Sequence, residues 1–178
     1  MRLKAFHARE MHGSGEQRKV SMRERLQYGK ACPDVYKAML ALSQAVEKTG
    51  LARQLIDLVD YRVSQLNGCA FCLDMHSKDL RAAGETEQRL YMISAWRDAP
   101  HLYSDRERAA LAWAEAVTRL EGQQVPDPIY DTARQEFSED ELTQLTLAIV
   151  AINGWNRFNV AFRMPAGDYK SVVARKTG

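Results

Sequence analysis

From Pro33 onward, apolar residues recur every three or four positions almost without interruption, the period of helices that bury one face. "PDVYKAMLALSQAVEKTG" opens with Pro33 and Asp34 and closes at Gly50, a residue suited to the position just past a helix. "LARQLIDLVDYRVSQLNG" sets Leu51, Leu55, Leu58, Val59 and Arg62 on neighbouring positions of one face and breaks at Asn67-Gly68. "CAFCLDMHSKDLRAAG" restarts a helix that stops at Gly84, and "TEQRLYMISAWRDAP" reads as a fourth, closed by Pro100. Ser104 and Glu107 form a capping box for "SDRERAALAWAEAVTRLEG", in which Ala110, Trp113, Ala114 and Val117 share a face and the charges read as a solvated one. "DPIYDTARQEF" is a short sixth helix. Ser138 and Glu141 cap the last, "LTQLTLAIVAINGWNRFNVAFRM", along which Leu142, Leu145, Ile149 and Ile152 align before Pro165 and Gly167 end it.

No stretch alternates with period two for long enough to make a strand. The pattern therefore predicts an all-α, single-domain bundle of about seven helices within residues 22–178. Residues 1–21, "MRLKAFHAREMHGSGEQRKVS", are polar and basic and are broken by Gly13 and Gly15, so they read as a flexible or loosely docked arm.

Composition narrows the function classes. A chain of 178 residues, 46% hydrophobic and 27% charged, can bury a core without disulfide staples. A net charge of +2, with bases and acids interspersed beyond the arm, gives no case for a nucleic-acid or membrane-surface partner. No apolar run reaches the roughly 18 residues of a bilayer span, and "MRLKAFHARE" carries charges where a signal peptide needs an apolar stretch. The expected compartment is the cytoplasm. Three cysteines are an odd count for a secreted disulfide framework; in a reducing compartment a CxxC pair is more often catalytic or metal-binding than structural. The chain has no phosphate-cradling glycine loop, no GxSxG elbow and no HExxH pair, and no cofactor is expected.

The strongest chemical constellation is "GCAFCLDMH". Asn67-Gly68 is a poor helix interior, so Cys69 falls near the start of a new helix, where free N–H groups favour thiolate over thiol. Cys69, Cys72 and His76 then stand at i, i+3 and i+7 on one face. Two sulfurs one turn apart can close a disulfide, and His76, one turn beyond Cys72, can take its proton. An orienting acid would come from the preceding helix. Asp57, between apolar neighbours, reads as the buried candidate; Asp60, followed by Tyr61-Arg62, reads as solvated. Zinc is the rival, with Cys69, Cys72 and His76 as three of four ligands, but no second paired knuckle supplies the fourth. Cys32 reads as a packed small hydrophobe, His7 and His12 lie in the arm, and His101 sits at a loop.

"DLVDYRVSQLNGCAFCLDMHSKDLRAAGE", with "RLYMISAWRDAP", "SDRERAALAWAEAVTRL" and "LTLAIVAINGWNRFNVAFR", resembles the alkyl hydroperoxidase D-like branch of the carboxymuconolactone decarboxylase family over about Met22 to Gly167. The spacing of an acid, eleven residues, CxxC, three residues and His is met by Asp57, Cys69, Cys72 and His76. The resemblance implies an all-helical subunit that forms homo-oligomers, commonly trimers or hexamers, and thiol-dependent reduction of small organic hydroperoxides in an antioxidant role. It implies Cys72 as the peroxidatic cysteine, Cys69 as the partner that resolves it to a Cys69–Cys72 disulfide, and His76 with Asp57 as the proton relay. It also implies a dithiol reductant, such as a lipoyl group on a partner protein, and electron transfer to a peroxiredoxin. Two positions depart from the pattern: the acid is usually Glu, and the best-known relative has a His where Phe71 stands. A cysteine-independent decarboxylase and a non-enzymatic redox switch using the same dithiol are the alternative readings.

Overall fold

The computed structural model describes residues 23–171; the arm expected over 1–21 lies outside them. Eight α-helices and no strands are present among the described residues: α1 (Tyr28–Ala31), α2 (Pro33–Glu47), α3 (Arg53–Leu66), α4 (Ala70–Ala82), α5 (Glu87–Met92), α6 (Asp105–Arg119), α7 (Asp127–Glu136) and α8 (Glu139–Phe162). The seven expected helical segments are α2 to α8, and the addition is the single turn of α1. Both capping boxes form: Ser104 and Ser138 accept from the Glu107 and Glu141 backbone N–H groups at 3.2 Å each, and the two glutamates accept in return. Each box satisfies two N–H groups that a helix start would otherwise leave orphaned.

The fourth expected helix is shorter than its apolar period suggests. α5 stops at Met92, and Ile93–Asp98 continues as a tighter 3₁₀ segment with a kink at Ala95. The tighter winding carries Ile93 and Trp96 inward together, where they pack with Leu58, Tyr103 and Leu111 in a small second core.

The main core lies where α3, α6 and α8 meet. Val59 and Val63 of α3, Ala110 and Ala114 of α6, and Leu145 and Ile149 of α8 are all fully buried. The alanines let α6 approach α3 closely, while each buried valine, leucine or isoleucine contributes about 1.5–3 kcal/mol. Not every polar residue on these helices faces water. Glu115, expected on the solvated face of α6, is buried and accepts from Arg62 Nε at 2.7 Å, Trp96 Nε1 at 3.0 Å and Arg97 at 2.6 Å. Burial works against its charge, but hydrogen bonds from Arg97, Trp96 and Arg62 hold its carboxyl below the usual range. This partner also explains why Arg62 shares the apolar face of α3. Cys32, expected to be packed, is instead a free, exposed thiol between α1 and α2.

One turn places the chemistry. α3 ends at Leu66 with Asn67 as its C-cap; Gly68 adopts φ 64°, and the Cys69 and Gly68 N–H groups bond back to Ser64 and Gln65 carbonyls at 3.0 and 3.2 Å. This double closure of the last turn requires a left-handed residue at position 68. The chain then reverses and α4 runs back along α3. No helix among the described residues is long and apolar enough to cross a membrane.

Gly68→Ala is expected to cost about 1–2 kcal/mol, the penalty of a Cβ in the left-handed region. Urea denaturation checks it; an unchanged midpoint would mean that the turn adapts.

Candidate active site

The reversal at Gly68 makes Cys69 the N-cap of α4, and its Sγ accepts from the Cys72 backbone N–H at 3.4 Å. Cys69 and Cys72 are joined as a disulfide across a Cα separation of 5.4 Å, well inside the range such a bond accepts. Both cysteines are 1% exposed. His76 lies one turn beyond Cys72 on the same helix, also buried. Cys72 and His76 line a cavity of about 340 Å³ bounded by α1, α2, α3, α4 and α8, a size that holds a small organic ligand. Tyr36, Phe71 and Trp155 make much of its wall aromatic. Phe71, where the best-known relative has a histidine, thus contributes an apolar face rather than a titratable group.

Two acids of α3 reach His76 across the α3–α4 contact. The donor atoms of Asp57, Asp60 and His76 all lie within 4.8 Å of one another. Their spacing on α3 is i and i+3, so one helix face presents both to α4. Asp57 is buried, as its apolar neighbours indicated, and its Oδ1 accepts from Arg53 Nε at 2.8 Å. Asp60 departs from expectation. It is not solvated: it lines the cavity, and its Oδ1 is buried with no hydrogen-bond partner. Arg62 beside it turns inward to Glu115, while Asp60 faces the cavity between α3, α4 and α2. His76 Nε2 is likewise buried without a partner.

Burial sets the protonation of this trio. It pushes His76 down to about 4, reinforced by Arg53 and opposed by Asp79, so the imidazole is neutral at pH 7. Burial, and then the charge of Asp57, raise Asp60 well above the ordinary carboxylate range, with Arg53 opposing. Asp57 is also raised by burial, but the Arg53 charge and hydrogen bond act against that rise. Of the two acids Asp57 is therefore the one that ionises first. The three groups could converge on a small cation or share a proton; Arg53 already supplies a positive charge at Asp57. The zinc alternative drew instead on the two cysteine sulfurs, which here are bonded to each other.

Two polar residues of α8 complete the site. Asn159 donates from Nδ2 to Cys72 Sγ at 3.3 Å, while its Oδ1 accepts from the Tyr28 hydroxyl at 2.8 Å. Tyr28 thereby fixes which end of the amide faces the sulfur, and α1 supplies Tyr28. Asn156 Nδ2 donates to Ser64 Oγ at 3.1 Å, and Asn67 Nδ2 donates to both Asn153 and Asn156 at 2.9 Å. A sequence signal for the two core-facing amides exists. Positions 142, 145, 149 and 152 form an apolar seam, and the next two positions on that seam, 156 and 159, are both Asn.

The carboxymuconolactone decarboxylase family model matches residues 33–116. YdfG, an uncharacterized protein of Bacillus subtilis, is 39% identical over 140 residues, which cover 79% of this chain and 95% of that protein. Among solved structures, a protein of unknown function from Agrobacterium tumefaciens, described as a candidate antioxidant-defence protein AhpD, is 42% identical with a TM-score of 0.79, covering 83% of this chain and 100% of its own. An uncharacterized peroxidase-related protein from a Silicibacter species shares the fold at 22% identity and a TM-score of 0.67, covering 77% of this chain and 73% of its own.

Two outcomes follow from this geometry. In the reduced protein Asn159→Ala should remove the hydrogen bond to the Cys72 sulfur and slow its alkylation by iodoacetamide at pH 7 by roughly tenfold or more, the worth of a hydrogen bond to a charged group. Tyr28→Phe should act in the same direction and less; unchanged alkylation in both would remove Asn159 from the site. The second concerns pH. His76 has a folded value depressed from 6.5 to about 4, so its contribution to stability is present above 6.5 and lost as pH falls through 4. Asp60, raised by burial, has the opposite sign: its contribution is present below its ordinary value and lost as pH rises through the folded one. His76→Asn should therefore lose less stability than the native protein between those two limits, by up to roughly 3 kcal/mol, read from urea midpoints at pH 7 and pH 4.5.

Proposed function

The chain belongs to the alkyl hydroperoxidase D-like branch of the carboxymuconolactone decarboxylase family, and on that premise we propose that it is a thiol-dependent peroxidase. It reduces small organic hydroperoxides through the Cys69–Cys72 dithiol, in an antioxidant role. The observation that carries this reading is the placement of Cys72: sulfur-bonded to Cys69, hydrogen-bonded to Asn159, one turn from a neutral His76 and on the wall of an aromatic-lined cavity.

In the reduced state Cys72 loses its proton to His76. The thiolate gains from the α4 N-terminus and from the Asn159 amide. It attacks the terminal peroxide oxygen; the S–O bond forms, the O–O bond breaks, and the alkoxide takes a proton to leave as the alcohol. Cys72 is then a sulfenic acid. Cys69 attacks it, the disulfide forms and water leaves, faster than over-oxidation to the sulfinic acid. A dithiol donor returns two electrons and two protons. Cys69 is buried beside Cys72, so the resolving step needs little movement.

His76 is the base because burial keeps it unprotonated, and Asp57, neutralised in part by Arg53, orients it. The aromatic walls favour an apolar alkyl or aryl substituent on the peroxide. A lipoyl-bearing protein fits the need for a compact dithiol that can reach the disulfide, and a peroxiredoxin is the corresponding electron acceptor. Assembly into a homo-oligomer, a trimer or hexamer, would cover apolar residues such as Val150 and Val160, which α8 leaves about half exposed. The setting proposed is the cytoplasm, where a reducing pool keeps the dithiol in turnover.

The test follows consumption of cumene hydroperoxide with dihydrolipoamide as reductant. Multiple turnovers are expected, abolished by Cys72→Ser. Cys69→Ser should give one turnover and a dimedone-reactive sulfenic acid, and His76→Ala should slow the reaction by about 10²–10⁴-fold, the usual worth of a general base. One equivalent consumed and then silence, with every dithiol tried, would assign the dithiol to a redox switch instead.

A further inference from the structure

We propose that Asp60 is a further catalytic residue of this site, the general acid that protonates the alkoxide as an alkyl hydroperoxide is cleaved; this rests on the hydroperoxidase reading above. The two acids on α3 are not equivalent. Asp60 lines the cavity with Cys72 and His76, whereas Asp57 does not. Asp57 is committed to Arg53 at 2.8 Å, whereas Asp60 Oδ1 is buried with no partner at all. A buried carboxyl oxygen without a donor is costly unless the group is neutral, and a neutral carboxyl carries a proton.

The surroundings agree. Arg53 and Asp57 face Asp60 from its own helix, His76 and Asp79 lie on α4, and Glu47 of α2 lines the same cavity. Burial and the neighbouring Asp57 charge raise Asp60 well above the ordinary carboxylate range, against the pull of Arg53. His76 complements it as an acceptor and is a poor store for a proton, with a value near 4. A site that must both remove a proton from a thiol and give one to an alkoxide needs two groups whose affinities are pushed apart. His76 and Asp60 are such a pair, and their donor atoms are within 4.8 Å.

The step balances without further reactants. Cys72 gives its proton to His76, and the thiolate attacks the terminal oxygen. As the O–O bond breaks, Asp60 passes its proton to the departing alkoxide, and the imidazolium of His76 then reprotonates Asp60. One proton has moved from sulfur to the alcohol, sulfur is oxidised by two electrons and the peroxide is reduced by two.

The experiment compares two oxidants in single-turnover stopped flow, in chelator-treated buffer so that a cation at the same three groups cannot stand in for the proton. Cumene hydroperoxide releases an alkoxide that must be protonated; peracetic acid releases acetate, which is stable as the anion. Asp60→Asn is expected to slow oxidation of Cys72 by cumene hydroperoxide by about 10²–10⁴-fold, while the rate with peracetic acid changes by less than about threefold. The peracid rate also reports that the variant retains a folded thiolate site. Asp60→Glu, which restores a carboxyl, is expected to recover part of the loss with cumene hydroperoxide. Equal slowing with both oxidants, or no slowing with either, would overturn the assignment of Asp60. Native protein that reacts with neither oxidant faster than dithiothreitol would instead overturn the peroxidase reading beneath it.

Discussion

The chemistry of this protein hangs on the break between α3 and α4 and on the amides that fasten it to α8. Gly68 permits the reversal; before it, Asn67 and Ser64 at the end of α3 reach Asn153 and Asn156 of α8, and after it Cys72 of α4 meets Asn159 of α8. These groups are largely buried and satisfy one another, so removing one partner strands the rest at about 1–3 kcal/mol each. Because α8 holds the end of α3 through Asn153 and Asn156 and the first turn of α4 through Asn159, the start of α4 has a fixed position relative to α3. That position puts Cys72 against Asn159 and His76 against the two acids. Without the tether the same residues would still be on neighbouring helices but not in register.

Two buried polar clusters show how differently a fold can treat charge. Around Glu115 every acceptor finds a donor: Arg62, Arg97 and Trp96 converge on one carboxylate, and the group is held ionised. Its role is to bind α3, α6 and the 3₁₀ segment into one body. Around His76 the accounting is left open: His76 Nε2 and Asp60 Oδ1 are both buried and unpartnered. Native folds leave few such atoms, and each calls for an explanation. The saturated cluster is scaffold; the unsaturated one lies on the cavity wall.

The segment after α8 adds a further restraint. It crosses back over α4, where the Gly167 N–H donates to Asp74, Lys78 donates to the Gly167 and Tyr169 carbonyls, and the Tyr169 hydroxyl meets Asp79 at 3.0 Å. The Phe71 ring meets Tyr169 edge-on. Asp79 is the acid whose charge partly offsets the burial of His76. The tail therefore holds α4 from its outer side and touches the electrostatics of the imidazole through a hydrogen bond to Asp79.

The sequence by itself determined the helical class, the seven main helices, both capping boxes and the local order of Cys69, Cys72 and His76. All of these depend on spacings within one helix or one turn, which the chain's own geometry dictates. Short-range reasoning failed where a residue's partner lies far along the chain. Asp60 reads as solvated beside Tyr61-Arg62 until α4 and α2 enclose it. Glu115 reads as a surface charge until Arg62 and Arg97 reach it, and Asn159 reads only as an amide on the apolar seam of α8 until Tyr28 and Cys72 fall on either side of it. Burial, pKa and the sharing of a proton are properties of the packed assembly, because they depend on which groups exclude water from which. Tertiary structure alone therefore decided which acid faces the cavity and which protonation states the site holds.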